Sequence, residues 1–137
     1  MNEREQSSMR ELADRLFTEN KTRTPFRPIR DALRPATMEA GYQVQDLLNA
    51  RYTEDGRGAI AGYKVGLTSE KIRELCGVHE PIAGMVFQST VHRSPARLNL
   101  GDFMRLGIEF ELAVEIAKDI PLDALLLDAE SVRDYVA

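Results

Sequence analysis

The stretch RLGIEFELAVEI, residues 105–116, decides how the chain is read. With period two it separates into Ile108, Phe110, Leu112, Val114 and Ile116 on one side and Glu109, Glu111, Ala113 and Glu115 on the other. Successive side chains of a strand point to opposite faces, so this alternation predicts a half-buried β-strand. Glutamate is disfavoured in strands, and like charges held close repel. Three glutamates on one strand face, with no lysine or arginine among them, therefore call for an explanation.

Upstream, the chain reads as helices followed by strands. Met9, Leu12, Ala13, Leu16 and Phe17 recur at helical spacing and predict an amphipathic first helix. KTRTPFRPIRDALRP, residues 21–35, is broken by Pro25, Pro28 and Pro35 and is locally basic. Its charges have no aromatic platform beside them, so it reads as a solvated connecting arm rather than a nucleic-acid patch. Thr37 is placed to cap a second helix running to about Tyr52, with Ala40, Gly41, Val44, Leu47 and Leu48 as its inner stripe. EDGRG at 54–58 ends that helix, and AIAGYKVGL at 59–67 reads as a strand.

Ser69 is expected to cap a short helix through Cys76, with Ile72, Leu75 and Cys76 turned inward. Beyond Pro81, AGMVF, STVHR, ARLNL and the 105–116 stretch read as strands, and a last helix is expected over about 129–136. Helices first and strands later give an α+β class.

Composition narrows the function. The 137 residues are enough for one domain with a real core, and 43% are hydrophobic. A net charge of −4 and a pI near 5.3 argue against nucleic acid or an anionic membrane as the main partner. Mean hydropathy is −0.33, and no apolar run approaches the roughly 20 residues that span a bilayer. One cysteine, Cys76, excludes an intrachain disulfide and suits a reducing cytoplasm. Two histidines and one cysteine make a zinc site of the usual kind a poor fit, which leaves carboxylates and hard ions such as magnesium, manganese or calcium.

Glu109 and Glu111 would project in parallel, about 6.5–7 Å apart along a strand. Two flexible carboxylates at that spacing can converge on one divalent ion; a solvent-facing strand with charged side chains reads the same residues equally well. Lys64 sits in Gly62-Tyr63-Lys64-Val65-Gly66, and glycine in a strand often marks the close approach of a ligand or another backbone. A lysine partly desolvated there serves proton transfer, whereas the plainer reading is an exposed strand lysine. His79 is read as an exposed loop histidine, Cys76 as a buried helix residue and Glu115 as exposed.

Four pieces in order carry a family resemblance: TRTPFRPI at 22–29, GYKVGLTS at 62–69, GVHEPIAG at 77–84 and IEFELAVEIAKDIP at 108–121. Together they resemble the 2-keto-4-pentenoate hydratase group of the fumarylacetoacetate hydrolase superfamily, which also hosts 4-oxalocrotonate decarboxylases. The resemblance implies that Glu109 and Glu111 correspond to the paired metal-binding glutamates, with Mg2+ or Mn2+ as the cofactor, and that Lys64 matches a lysine in the active-site pocket. It implies a small 2-oxo or 2-hydroxy acid from aromatic-compound breakdown as substrate, moved from dienol to keto form and then hydrated at a distal carbon. A homo-oligomer without nucleic-acid or membrane partners is implied as well.

The resemblance also predicts a layout. Residues 1–58 would form a helical region with the Pro/Arg-rich arm, and 59–137 the first part of a catalytic β-roll, incomplete at its C-terminus. Family members are longer, and their third metal-binding carboxylate lies just past the helix ending here at DYVA. The chain is thus expected to be an N-terminal part, or a non-catalytic remnant or partner subunit. Ile82 occupies the position where the hydratases usually carry an aspartate, which also leaves decarboxylation of a 2-oxo diacid as an alternative reaction.

Overall fold

The computed structural model describes residues 3–121 and 128–137. They fall into two compact units, one reaching to Met104 and the other starting at Arg105.

The first unit is built on two helices. Helix α1, Glu3–Lys21, carries Glu3 and Glu5 in its first turn and Lys21 in its last, charges that suit the ends of a helix dipole. Helix α2, Met38–Tyr52, begins where Thr37 Oγ1 accepts a hydrogen bond from the Ala40 amide at 3.2 Å. The stripes expected on both helices meet. Leu12, Ala13 and Val44 form the buried centre, with Met9, Leu16, Leu47, Leu48 and Ile29 of the arm packed around it. After Tyr52 the chain tightens through Thr53–Arg57, where Gly56 adopts a φ of 92° that a side chain would resist.

A hairpin-like pair of strands packs on α2. Strand β1, Ile60–Gly66, runs antiparallel to β2, Ile82–Phe87, and the two pair from Ile60 opposite Phe87 to Gly66 opposite Ile82. Between them lies α3, Glu70–Cys76, closed by Gly77 in the left-handed region. Helix α2 seals the outer edge of β2. The Ala83 amide donates to Tyr42 Oη and its carbonyl accepts from Gln45 Nε2, both at 3.0 Å. Tyr52 stands between Phe17 and Phe87, with ring centroids 5.7 and 5.8 Å away, and the Arg57 guanidinium lies 3.7 Å over the Tyr52 ring. The unit thus combines helices with a two-stranded antiparallel sheet, in keeping with the α+β class.

Three expectations are overturned. Ile72, Leu75 and Cys76 do not face inward: Ile72 and Leu75 are exposed large apolar residues and the Cys76 thiol is exposed too. A helix of seven residues can present its stripe to a core only where another element lies over it, and the described residues supply no such cover. Ser69 precedes α3, yet its side chain makes no capping hydrogen bond. STVHR and ARLNL form no strands: a 3-10 turn, Gln88–Thr90, overlaps the start of the first, and another, Leu100–Asp102, begins at the last residue of the second.

The second unit holds the most instructive difference. Among the described residues, 105–115 join no ladder, and the predicted strand survives only as a bridge between Ile116 and Val136. Hydrogen bonds from Ala117 N to Tyr135 O at 2.8 Å and from Ala137 N to Glu115 O at 2.9 Å flank it. Strand structure needs a neighbour to take its backbone bonds, however clear the alternation. The apolar side is correspondingly open, with Phe110 99% and Leu112 100% exposed. The expected last helix is a 3-10 turn, Ser131–Tyr135, begun by Asp128, whose carboxylate accepts from the amides of Glu130 and Ser131. No helix among the described residues is long and apolar enough to cross a membrane.

Candidate functional site

Lys64 lies in the middle of β1, directly opposite Gly84 of β2. Partners in an antiparallel pair share a face, so Gly62, Lys64 and Gly66 stand on one face of the pair together with Val86, Gly84 and Ile82. A Cβ built on Gly66 would meet Ile82 Cγ1 at 3.5 Å, and one built on Gly84 would meet Lys64 Cγ at 3.7 Å. Met85 and Phe87 occupy the other face and reach α2, through a hydrogen bond from Asn49 to Met85 Sδ and the ring contact with Tyr52. Helix α2 therefore fixes β2 from behind while the face bearing Lys64 looks away from it. Ile82 shares that face opposite Gly66, diagonally across from Lys64 with the Val65–Ala83 pair between them.

Glu109 and Glu111 belong to the second unit and are both exposed. These two glutamates of the opening stretch lie two residues apart, and Glu115 is exposed as expected. Among the described residues, no group of three His, Cys, Asp or Glu side chains is gathered to hold a metal ion. His79 and His92 are exposed.

The basic arm is tied down by acids. Arg27 pairs with Glu19, Arg23 with Asp102, Arg30 with Glu11 and Arg34 with Asp31. Arg23 also donates to the Gly101 carbonyl. These pairings favour the connecting-arm reading, because guanidinium groups committed to carboxylates are less available to phosphate.

Glu19 is a buried charge among the described residues that the sequence pattern did not single out. It is 3% exposed, and Oε1 accepts from Arg15 Nε at 3.0 Å and from Arg27 Nε at 3.1 Å and Nη2 at 3.0 Å. The hydrogen bond from Arg15 holds its carboxyl below the ordinary carboxylate value, Arg27 adds to this, and burial opposes it. The signal was present: Glu19 falls seven residues after Leu12 and three after Leu16, on the apolar stripe itself.

Comparison with known proteins bears out the family resemblance. The chain is 29% identical to the TodF product hydratase of Pseudomonas putida over 118 residues, covering 86% of this chain and 44% of that protein. It is 30% identical to the 2-oxo-hept-4-ene-1,7-dioate hydratase of Escherichia coli over 128 residues, covering 91% of this chain and 47% of that one. Over 96 residues it is 29% identical to 2-keto-4-pentenoate hydratase 2 of Dechloromonas aromatica, with 70% and 36% covered. The chain spans less than half the length of these curated relatives. No family model and no solved structure matches it.

Proposed function

We propose that the chain is part of a metal-dependent hydratase, a lyase of the 2-keto-4-pentenoate type acting on a small 2-hydroxydienoate or 2-oxo acid in aromatic catabolism. The observation that carries this reading is the similarity to the TodF product hydratase over 86% of the chain. In this reading residues 1–58 are the helical region, and 59–137 contribute the first strands of a fumarylacetoacetate hydrolase-type β-roll that assembles as a homo-oligomer in the cytoplasm.

Glu109 and Glu111 are the residues that would hold the ion. Two exposed carboxylates suit magnesium or manganese, hard ions that take oxygen ligands and retain several waters when a protein supplies only one or two carboxylates. A divalent cation there supplies positive charge next to the substrate's carboxylate and 2-oxygen, which lowers the cost of forming the enolate. Lys64 handles the proton. The dienol gives up its hydroxyl proton and gains one at carbon, and water then adds across the remaining double bond with its oxygen at the distal carbon. A lysine near a negatively charged substrate is suited to both transfers.

Ile82 favours a second reaction on the same scaffold. An alkyl side chain diagonally across from Lys64 offers no proton for hydration, whereas loss of carbon dioxide from a 2-oxo diacid needs chiefly a stabilised enolate.

Calorimetric titration with manganese chloride tests the proposal on the chain itself. Wild type is expected to bind one ion, and Glu109→Ala and Glu111→Ala to lose it. Wild-type binding no tighter than that of the two variants overturns the metal assignment and the lyase with it.

A further inference from the structure

Lys64 and Gly84 are cross-strand partners on one face of the β1–β2 pair. The Lys64 Cγ lies 3.7 Å from where a Cβ on residue 84 would stand. The lysine stem thus passes within ordinary van der Waals contact of that position, close enough for the outer atoms of a branched side chain at 84 to crowd it. From this we infer that Gly84 is a positioning residue for Lys64, and the inference rests on the role proposed for that lysine.

The physical reasons are specific to this pair. Lysine on an exposed strand ordinarily samples many rotamers, because its four-carbon stem is flexible. Here β2 offers the stem a bare stretch of backbone. That backbone is itself held from behind, with Ala83 bonded to Tyr42 and Gln45, Met85 to Asn49 and Phe87 edge-to-face with Tyr52. Ile82 stands on the same face opposite Gly66, two residues from Gly84. A methyl at 84 is accommodated, since 3.7 Å is an ordinary van der Waals distance. The branched side chain of valine is not, and would push the stem off β2 and swing the ammonium away from the place where it meets the substrate. Gly84 touches no reacting atom, so it acts only through the direction it gives Lys64.

The test compares Gly84→Ala, Gly84→Val and Lys64→Ala in full-length chain, assayed with 2-hydroxypenta-2,4-dienoate and manganese. Gly84→Val is expected to lower kcat by about tenfold or more while KM and manganese affinity stay within about twofold. It should also shift the limb of the pH profile that Lys64→Ala abolishes. Gly84→Ala should stay near wild type. Because valine favours strands, the melting temperature should not fall, and a fall would be seen in all parameters together rather than in kcat alone. Gly84→Val with wild-type kcat and pH profile overturns the positioning role and leaves the function proposed for Lys64 standing. Lys64→Ala with undiminished turnover, or wild type with none, overturns that function and this inference together.

Discussion

Arg27 reaches back from the Pro/Arg-rich arm to α1 and gives Glu19 Oε1 two hydrogen bonds, 3.1 Å from Nε and 3.0 Å from Nη2. Arg15 completes the clamp, bonding the same oxygen through Nε and the Arg27 carbonyl through Nη2 at 2.7 Å. One buried carboxylate thus anchors the arm at Arg27. Glu19 titrates below its ordinary value of 4.5. A depressed pKa stabilises the fold above that ordinary value, and the contribution is lost as pH falls through the folded-state value. Protection factors for amide exchange over residues 22–30, taken relative to the intrinsic rate at each pH, should therefore be highest near pH 7 and fall below pH 4.5, before α1 itself opens. Glu19→Gln should show low protection factors there at both pH values; equal protection in variant and wild type would refute the clamp.

The start of α2 is expected to be sensitive to its cap. Thr37 Oγ1 satisfies the Ala40 amide, and Thr37→Ala leaves that donor to water. A loss of about 1 kcal/mol in unfolding free energy is expected, read from urea denaturation. Thr37→Ser should recover most of it, because serine keeps the accepting oxygen. A Thr37→Ala variant as stable as wild type would show that the cap contributes nothing.

Phe110 and Leu112 are 99% and 100% exposed, so replacing them removes no internal packing. Phe110→Ser with Leu112→Ser should leave the thermal midpoint unchanged and weaken self-association, which exposed apolar strands promote. Light scattering across a concentration series reads the second effect. A large drop in thermal midpoint would mean that these side chains are covered in solution.

At Ile82, restoring a carboxylate diagonally across from Lys64 should favour hydration. Ile82→Asp is expected to raise the hydration rate of 2-hydroxypenta-2,4-dienoate, within the roughly 10²–10⁴-fold range of a positioned general acid or base. An Ile82→Asn control of similar size should not. Equal rates for the two variants would remove proton transfer from position 82.

How much of this was legible in the sequence follows the range of the forces involved. The stripes of α1 and α2, the Thr37 cap, the turn through Gly56 and the extent of β1 depend on neighbours within a few residues, and the sequence predicted them in place. The candidate lysine and the glutamate pair were legible as residue types at a spacing, and so was the relation to the hydratases. Glu19 was legible in principle, because the helical period puts it on the buried stripe; only the arm folding back with Arg27 explains why a charge is tolerated there.

Three features depended on tertiary structure alone. The pairing of Lys64 with Gly84 joins residues separated by α3, and no local preference sets a register across such a gap. The inward stripe of α3 stays exposed because no described element covers it. The alternation of 105–116 fixes which side chains share a side, yet a strand exists only where another backbone takes its hydrogen bonds, and in the described residues that happens only at the bridge around Ile116, through Glu115 and Ala117. Periodicity is a property of the chain, whereas pairing and burial belong to whatever lies alongside it.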